Sequence, residues 1–147
     1  MEKGDGSVAM EGTLEEVLDR KFHVAMRWLK LQQQGKTLSN HLLSNGVKSI
    51  ALYGITDFAN AIIDELKCTS DFHMIKAVSD KKVARGSEFD YCGIKCVAPD
   101  ELRVCIDEDT LVIVTPMGWQ SEIKKELEEL GITKTVLIQE LIYEMFG

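Results

Sequence analysis

A short loop and one distant carboxylate are the residues whose types and spacing favour ligand chemistry. Residues 54–58, GITDF, follow an apolar run and precede apolar side chains that recur every three to four positions. A strand, a glycine turn and a helix are therefore predicted, and the amides that begin such a helix attract phosphate oxygens. Asp80 follows 26 residues after Gly54, close to the ~20-residue spacing at which an acidic side chain binds ribose hydroxyls. The predicted chemistry is nucleotide binding.

The loop departs from the pattern G-x-G-x-x-G at two of its three glycines. Thr56 stands at the second glycine position and Ala59 at the third. The branched side chain of Thr56 occupies the space that a diphosphate needs, although its hydroxyl is able to donate to a phosphate oxygen. Asp57 is expected to cap the helix with its side chain, which adds negative charge beside that space. The loop predicts the fold more strongly than it predicts a ligand.

Basic residues follow Asp80 directly. Lys81, Lys82 and Arg85 favour either an additional phosphate on the ligand or an ordinary solvated loop, and both interpretations remain open. No catalytic residue is predicted. The sequence has neither a Tyr-x-x-x-Lys pattern nor a nucleophile beside a base, and no histidine falls in the predicted ligand-binding loops.

The elements that position these residues alternate between strand and helix. A capping box at residues 13–16 begins a long helix, a shorter one covers residues 38–45, and five strands are predicted between residues 49 and 138. We therefore predict an α/β fold, a three-layer, Rossmann-like parallel sheet of about five strands in the order 3-2-1-4-5. Residues 1–46 form an N-terminal helical extension, with 1–12 expected to be disordered, and residues 47–147 form the nucleotide-binding-type domain.

Parallel strands bring three loops together at their carboxyl ends, in a crevice between the first and fourth strands. The third of these loops follows the apolar run TLVIVT, a predicted central strand. The candidate site residues are Gly54, Ile55, Thr56, Asp57, Phe58, Asp80, Lys81, Thr115, Pro116, Met117 and Gly118.

Composition excludes several classes of partner. A net charge of −7, from 24 acidic and 17 basic residues, leaves no basic face for a nucleic acid. No apolar run reaches the ~20 residues that span a bilayer, and no signal sequence is recognisable, so a cytoplasmic protein without membrane contact is expected. The four cysteines lack C-x-x-C spacing, so no metal site is predicted, and Cys92 and Cys96 are expected to be buried reduced thiols.

Residues 28–144 carry motifs in a recognisable order: IALYGITDFA, then AVSD, GIKCVAPDEL and TLVIVTP. This order resembles small Rossmann-like modules of bacterial polysaccharide and glycan-modifying systems. It is also similar to the N-terminal nucleotide-sugar-binding domains of sugar acyltransferases and to nucleotide-binding domains of sugar epimerases. The resemblance implies that Gly54, Asp80 and the turn at residues 115–118 line a crevice for NAD(P) or a nucleotide sugar.

Three functions remain open. The first is a non-catalytic or accessory nucleotide- or nucleotide-sugar-binding module of carbohydrate metabolism. The second is a degenerate interaction protein with an empty crevice, which forms a homo-oligomer through the N-terminal helix or the apolar tail at residues 141–146. The third is a subunit of an enzyme that uses coenzyme A or S-adenosylmethionine.

Overall fold

A computed structural model describes residues 12–146, which form an α/β fold with a six-stranded, mostly parallel sheet. The strands are β1 (Ile50–Tyr53), β2 (Ile75–Ser79), β3 (Phe89–Tyr91), β4 (Ile94–Val97), β5 (Leu111–Val114) and β6 (Thr135–Leu137). The α-helices are α1 (Leu14–Gln33), α2 (Leu38–Ser44), α3 (Asp57–Cys68), α4 (Pro99–Leu102), α5 (Gln120–Glu129) and α6 (Ile138–Phe146). Short 3₁₀ turns cover Phe72–Met74 and Arg103–Cys105.

The sheet confirms the predicted α/β class and corrects its strand count and order. The strands lie in the order β3-β4-β2-β1-β5-β6, with β3 antiparallel to β4 and every other pair parallel. Residues 91–97 were expected to form one strand, but Cys92 (φ 56°) and Gly93 (φ 90°) turn the chain there into a hairpin. That turn adds an antiparallel edge strand to the five parallel ones.

Helices cover both faces of the sheet, and the alternating side chains of β1 contact the helices on both sides. Ile50 and Leu52 pack into a core that also contains residues of α1, α2, α3 and α6. Ala51 and Tyr53 point to a second core, built with α4 and α5. All four residues of β1 are buried, as expected for a central strand of a parallel sheet.

The helix α1 packs on the domain through one of its two apolar rows. Val17, Val24, Trp28 and Leu31 are buried, and the helix contacts α6. The second row was equally apolar in the sequence, but its members remain exposed. It consists of Leu14, Leu18, Phe22 and Leu29.

A buried carboxylate fastens α1 and α2 to α3. Glu65 accepts hydrogen bonds from Trp28 Nε1 at 2.9 Å, from Gln32 Nε2 at 2.9 Å and from the Leu38 amide at 2.6 Å. Trp28 also stacks on Phe58, with the rings 4° from parallel. The helical extension is therefore held in a defined position over the start of α3.

Four smaller expectations have distinct outcomes. The tail buries Leu141, Ile142 and Met145 in the core of the chain itself. Cys96 is buried as expected, whereas Cys92 is exposed, because the hairpin turn places it at the surface. No helix within residues 12–146 is long and apolar enough to cross a membrane. The expected disorder of residues 1–12 concerns a segment of which all but Gly12 lies outside the described residues.

Candidate functional site

Gly54 ends β1 in a conformation that only glycine adopts without strain. Its φ is +106°, and its amide donates to the Ser79 carbonyl at 2.7 Å. A Cβ at this position would lie 2.6 Å from Pro116 Cδ and 2.8 Å from Thr115 Oγ1. Glycine is therefore required at position 54 because the backbone there packs closely against the turn after β5.

Thr56, and not Asp57, caps α3. Its backbone is extended (φ −130°, ψ 171°), which directs Oγ1 towards the Ala59 amide at 3.1 Å. Asp57 is instead the first helical residue, and it is exposed. The amides of Asp57 and Phe58 have no partner within the helix, as at every helix start. They are the amides that remain for an anion.

A pair of hydroxyls, one buried and one partly exposed, joins the loop after β1 to the end of β5. Thr56 Oγ1 donates to Thr115 Oγ1 at 2.8 Å. Thr115 Oγ1 in turn lies 3.0 Å from the Tyr53 carbonyl oxygen and 3.2 Å from that of Gly54, and Thr115 is fully buried. Thr115 Oγ1 and the Pro116 ring thus occupy the space beside Gly54.

Asp80 organises the loops at this edge of the sheet. Its Oδ2 accepts from the Ile55 amide at 2.8 Å, and its Oδ1 accepts from the Lys82 amide at 2.9 Å. Each carboxylate oxygen has a second lone pair, so both retain some capacity for another donor. The carboxylate therefore holds the β1 and β2 loops together, whatever else it binds.

Two of the basic residues after Asp80, Lys81 and Arg85, form ion pairs with other parts of the chain. Lys81 Nζ lies 3.5 Å from Glu126 and 3.7 Å from Glu122, both on α5. Arg85 Nε lies 3.0 Å from Asp100. These cations are held on the α4 and α5 side of the sheet.

A cavity of about 780 Å³ opens beside these loops, at the carboxyl ends of β1 and β5. Seven predicted site residues line it, namely Thr56, Asp57, Phe58, Thr115, Pro116, Met117 and Gly118. Four others do not line it, namely Gly54, Ile55, Asp80 and Lys81. The structure thus brings the α3 start and the turn after β5 to one crevice and leaves the Asp80 loop outside it.

The opposite wall belongs to α1 and was not predicted. Its apolar lining comes from Leu14, Val17, Leu18, Phe22, Ala25, Trp28 and Leu29. Trp119 lies on the rim, 46% exposed and with a left-handed backbone (φ 57°). The sequence signal for this wall was the second apolar row of α1. A helix that buries only one face does not need a second apolar row, so this row indicated a second contact surface.

Few ionisable groups face the crevice. Within the described part of the chain, its charged lining residues are Lys21 and Asp57, and no histidine or cysteine contributes. No group of three or more His, Cys, Asp or Glu residues suited to a metal ion occurs in residues 12–146. Burial, together with the nearby carboxylates of Glu126 and Asp80, raises the pKa of Tyr53 to about 12, so its phenol stays neutral.

Comparison of the chain with protein-family models, with curated proteins and with solved structures found no match in any of the three. What the fold and crevice define is a structural class, an α/β domain with a mostly parallel sheet and a cavity at the carboxyl ends of its central strands.

Proposed function

We propose that the chain is a non-catalytic, Rossmann-like module that binds a nucleotide or nucleotide sugar, as an accessory to bacterial carbohydrate metabolism. The observation that carries this proposal is the position of the cavity. It lies at the carboxyl ends of β1 and β5, where the strand order reverses, and ligands of open α/β sheets bind at such a point. Its volume falls within the ~300–1,000 Å³ of small-molecule sites.

The walls define how such a ligand would lie. A phosphate would approach the amides of Asp57 and Phe58, with the Lys21 ammonium on the opposite wall. Since Thr115 and Pro116 fill the space beside Gly54, the phosphate would lie closer to α1 than in a site with three glycines. The base or another planar group would rest among Phe22 and Trp119 and their apolar neighbours.

The carbohydrate setting rests on the motif order IALYGITDFA, AVSD and GIKCVAPDEL. NAD(P) is less favoured than a nucleotide sugar, because Asp80 lies outside the cavity and already binds two amides. One observation favours a second candidate, an interaction module with an empty crevice. The polar side chains that would serve a diphosphate ligand, Thr56, Thr115 and Asp80, are bonded to the chain itself.

Thermal unfolding of the purified chain against nucleotide sugars, free nucleotides, NAD(H), NADP(H), coenzyme A and S-adenosylmethionine tests the proposal. A ligand at ~100 times its dissociation constant stabilises the folded state by about 2.7 kcal/mol, which raises the midpoint by several degrees. We expect a shift with at least one nucleotide or nucleotide sugar. Absence of any shift at millimolar ligand would contradict the proposal and favour the empty module, and a shift with coenzyme A or S-adenosylmethionine alone would favour the third function.

A matched pair of charge reversals places the ligand in the crevice. Lys21→Glu removes the cation of the α1 wall, so we expect the affinity to fall by about 10-fold or more. Lys48→Glu makes the same change at an exposed position before the amino end of β1, and its affinity should equal that of the unmodified chain. Equal losses in both variants would indicate a general charge effect, and no loss in either would place the ligand elsewhere.

A further inference from the structure

The exposed side of α1 carries more apolar surface than the crevice accounts for. We define the α1 outer face as Leu14, Leu18, Phe22, Met26 and Leu29, whose exposed fractions are 63%, 52%, 60%, 47% and 47%. Their spacings of four, four, four and three place them along one side of the helix. Met26 does not line the cavity, so a ligand confined to the crevice would leave part of this face in water.

The structure fixes α1 firmly enough for its outer face to be a preformed surface. The inner row is buried, the Trp28 indole donates to buried Glu65, and a capping box at Thr13 and Glu16 closes the first turn. Arg27 Cζ lies 4.9 Å from the centre of the Tyr143 ring of α6, and this contact holds α1 on a third side. The outer face therefore cannot turn inward to satisfy its apolar side chains.

The charges beside the outer face are separated by sign along the helix. Glu15 and Asp19 lie near its start, whereas Lys30 lies in its last turn. In an antiparallel pair of α1 helices, Lys30 of each copy would lie beside Glu15 of the other copy. A parallel pair would instead place like charges together. The charge order thus selects an antiparallel partner with the same sequence of charges.

We infer that α1 packs antiparallel against the α1 of a second copy of this chain, with the two Phe22 side chains at the two-fold axis. In this register Leu18 of one copy lies opposite Met26 of the other, and Leu14 lies close to the other Leu29. Such an interface is isologous, so each copy uses the same surface. The inference goes beyond the proposed function and does not depend on a ligand.

The pairing would also complete the crevice. Four of the five outer-face residues line the cavity, so a second α1 laid along them covers its open side. The helix is about 30 Å long, which covers less than the ~800 Å² per partner of a standard interface unless the crevice rim contributes. We therefore expect a dimer with a dissociation constant of about 1–100 μM.

Sedimentation velocity of the ligand-free chain across micromolar concentrations tests the pairing. We expect a monomer–dimer equilibrium that Phe22→Asp shifts by at least ~100-fold, because it places two carboxylates at the axis. Val104→Asp is the matched control, since Val104 is 85% exposed and lies far along the chain from α1. Circular dichroism should show both variants folded. A monomer at every concentration, or a dimer that Phe22→Asp leaves intact, would overturn the inference.

A charge exchange tests the antiparallel arrangement by itself. Glu15→Lys and Lys30→Glu should each raise the dimer dissociation constant by about 3- to 10-fold, whereas the double variant should restore it. Restoration requires the two sites to meet between copies, because fifteen positions on one helix separate them by about 22 Å. A double variant weaker than both single variants would overturn the antiparallel arrangement. Because no ligand is present, these results stand apart from the outcome for the proposed function.

Discussion

The two walls of the crevice differ in how their residues are held. On the loop wall, Thr56 and Thr115 are fixed by hydrogen bonds, and Gly54 lies behind them, closely packed against Pro116 and Thr115. On the α1 wall, Leu18 and Phe22 are large apolar side chains that remain exposed. This difference indicates that the loop wall stabilises the fold, whereas the α1 wall is the surface available for binding. Four substitutions test this contrast, in order of their expected effect on the free energy of unfolding.

Gly54→Val should have the largest effect. Valine at φ +106° is strained, and its Cβ would overlap Pro116 and Thr115, so we expect a loss of about 3–5 kcal/mol. Urea unfolding measures it. Gly46→Ala is the control, because Gly46 has φ +81° but no atom within 4 Å of the added Cβ, and it should cost only ~1 kcal/mol. Equal losses would show that backbone strain alone matters at Gly54.

Glu65→Ala should come second, because it removes the carboxylate that fastens α1 and α2 to α3. Two buried donors, Trp28 Nε1 and the Leu38 amide, would lose their acceptor, as would the exposed Gln32 side chain, at a cost of about 3 kcal/mol. The exposed neighbour Asp64 provides the control, and Asp64→Ala should change stability by less than ~0.5 kcal/mol. Similar unfolding midpoints for the two variants would contradict the role assigned to Glu65.

Thr115→Val should have an intermediate effect on the loop wall. It removes a buried hydroxyl that bonds with Thr56 and with the carbonyl groups of Tyr53 and Gly54, which we expect to cost about 1–2 kcal/mol. Thr115→Ser keeps the hydroxyl and should recover most of that loss. If valine and serine give equal stability in chemical denaturation, the hydroxyl pair does not hold the two strand ends.

Leu29→Gln should have the smallest effect, since it lies on the exposed α1 wall. We expect a change within ~0.5 kcal/mol, measured at a concentration low enough to keep the chain monomeric. Leu31→Gln, two residues later on the buried row, should cost about 3 kcal/mol or more. A large loss at Leu29 would mean that the outer face supports the monomer and is not reserved for a partner.

Periodicity predicted the elements well, because it records which faces are buried. The strand at residues 50–53, the helix after it and the buried strand ending before Thr115 all follow from apolar spacing. The hairpin at Cys92 and Gly93 was missed, since a cysteine rarely adopts a positive φ and the single glycine beside it was assigned to the interior of one strand.

Hydrogen-bond partners were harder to predict than elements. Asp80 was correctly placed at the end of β2, but its two amide partners depend on how neighbouring loops meet in three dimensions. The cap on α3 was assigned one residue too late, because Thr56 and Asp57 are both good capping residues and only the backbone geometry distinguishes them. The α1 wall was missed because which apolar row faces the domain is decided by tertiary packing.

The two tryptophans of the chain make the walls optically distinct. Trp28 is buried in the second half of α1 and donates a hydrogen bond to Glu65, whereas Trp119 is exposed on the crevice rim. An indole in an apolar interior emits at shorter wavelength than one in water, and a soluble quencher such as acrylamide reaches only the second. Intrinsic fluorescence therefore reports separately on detachment of the helix and on occupancy of the crevice, without any added label.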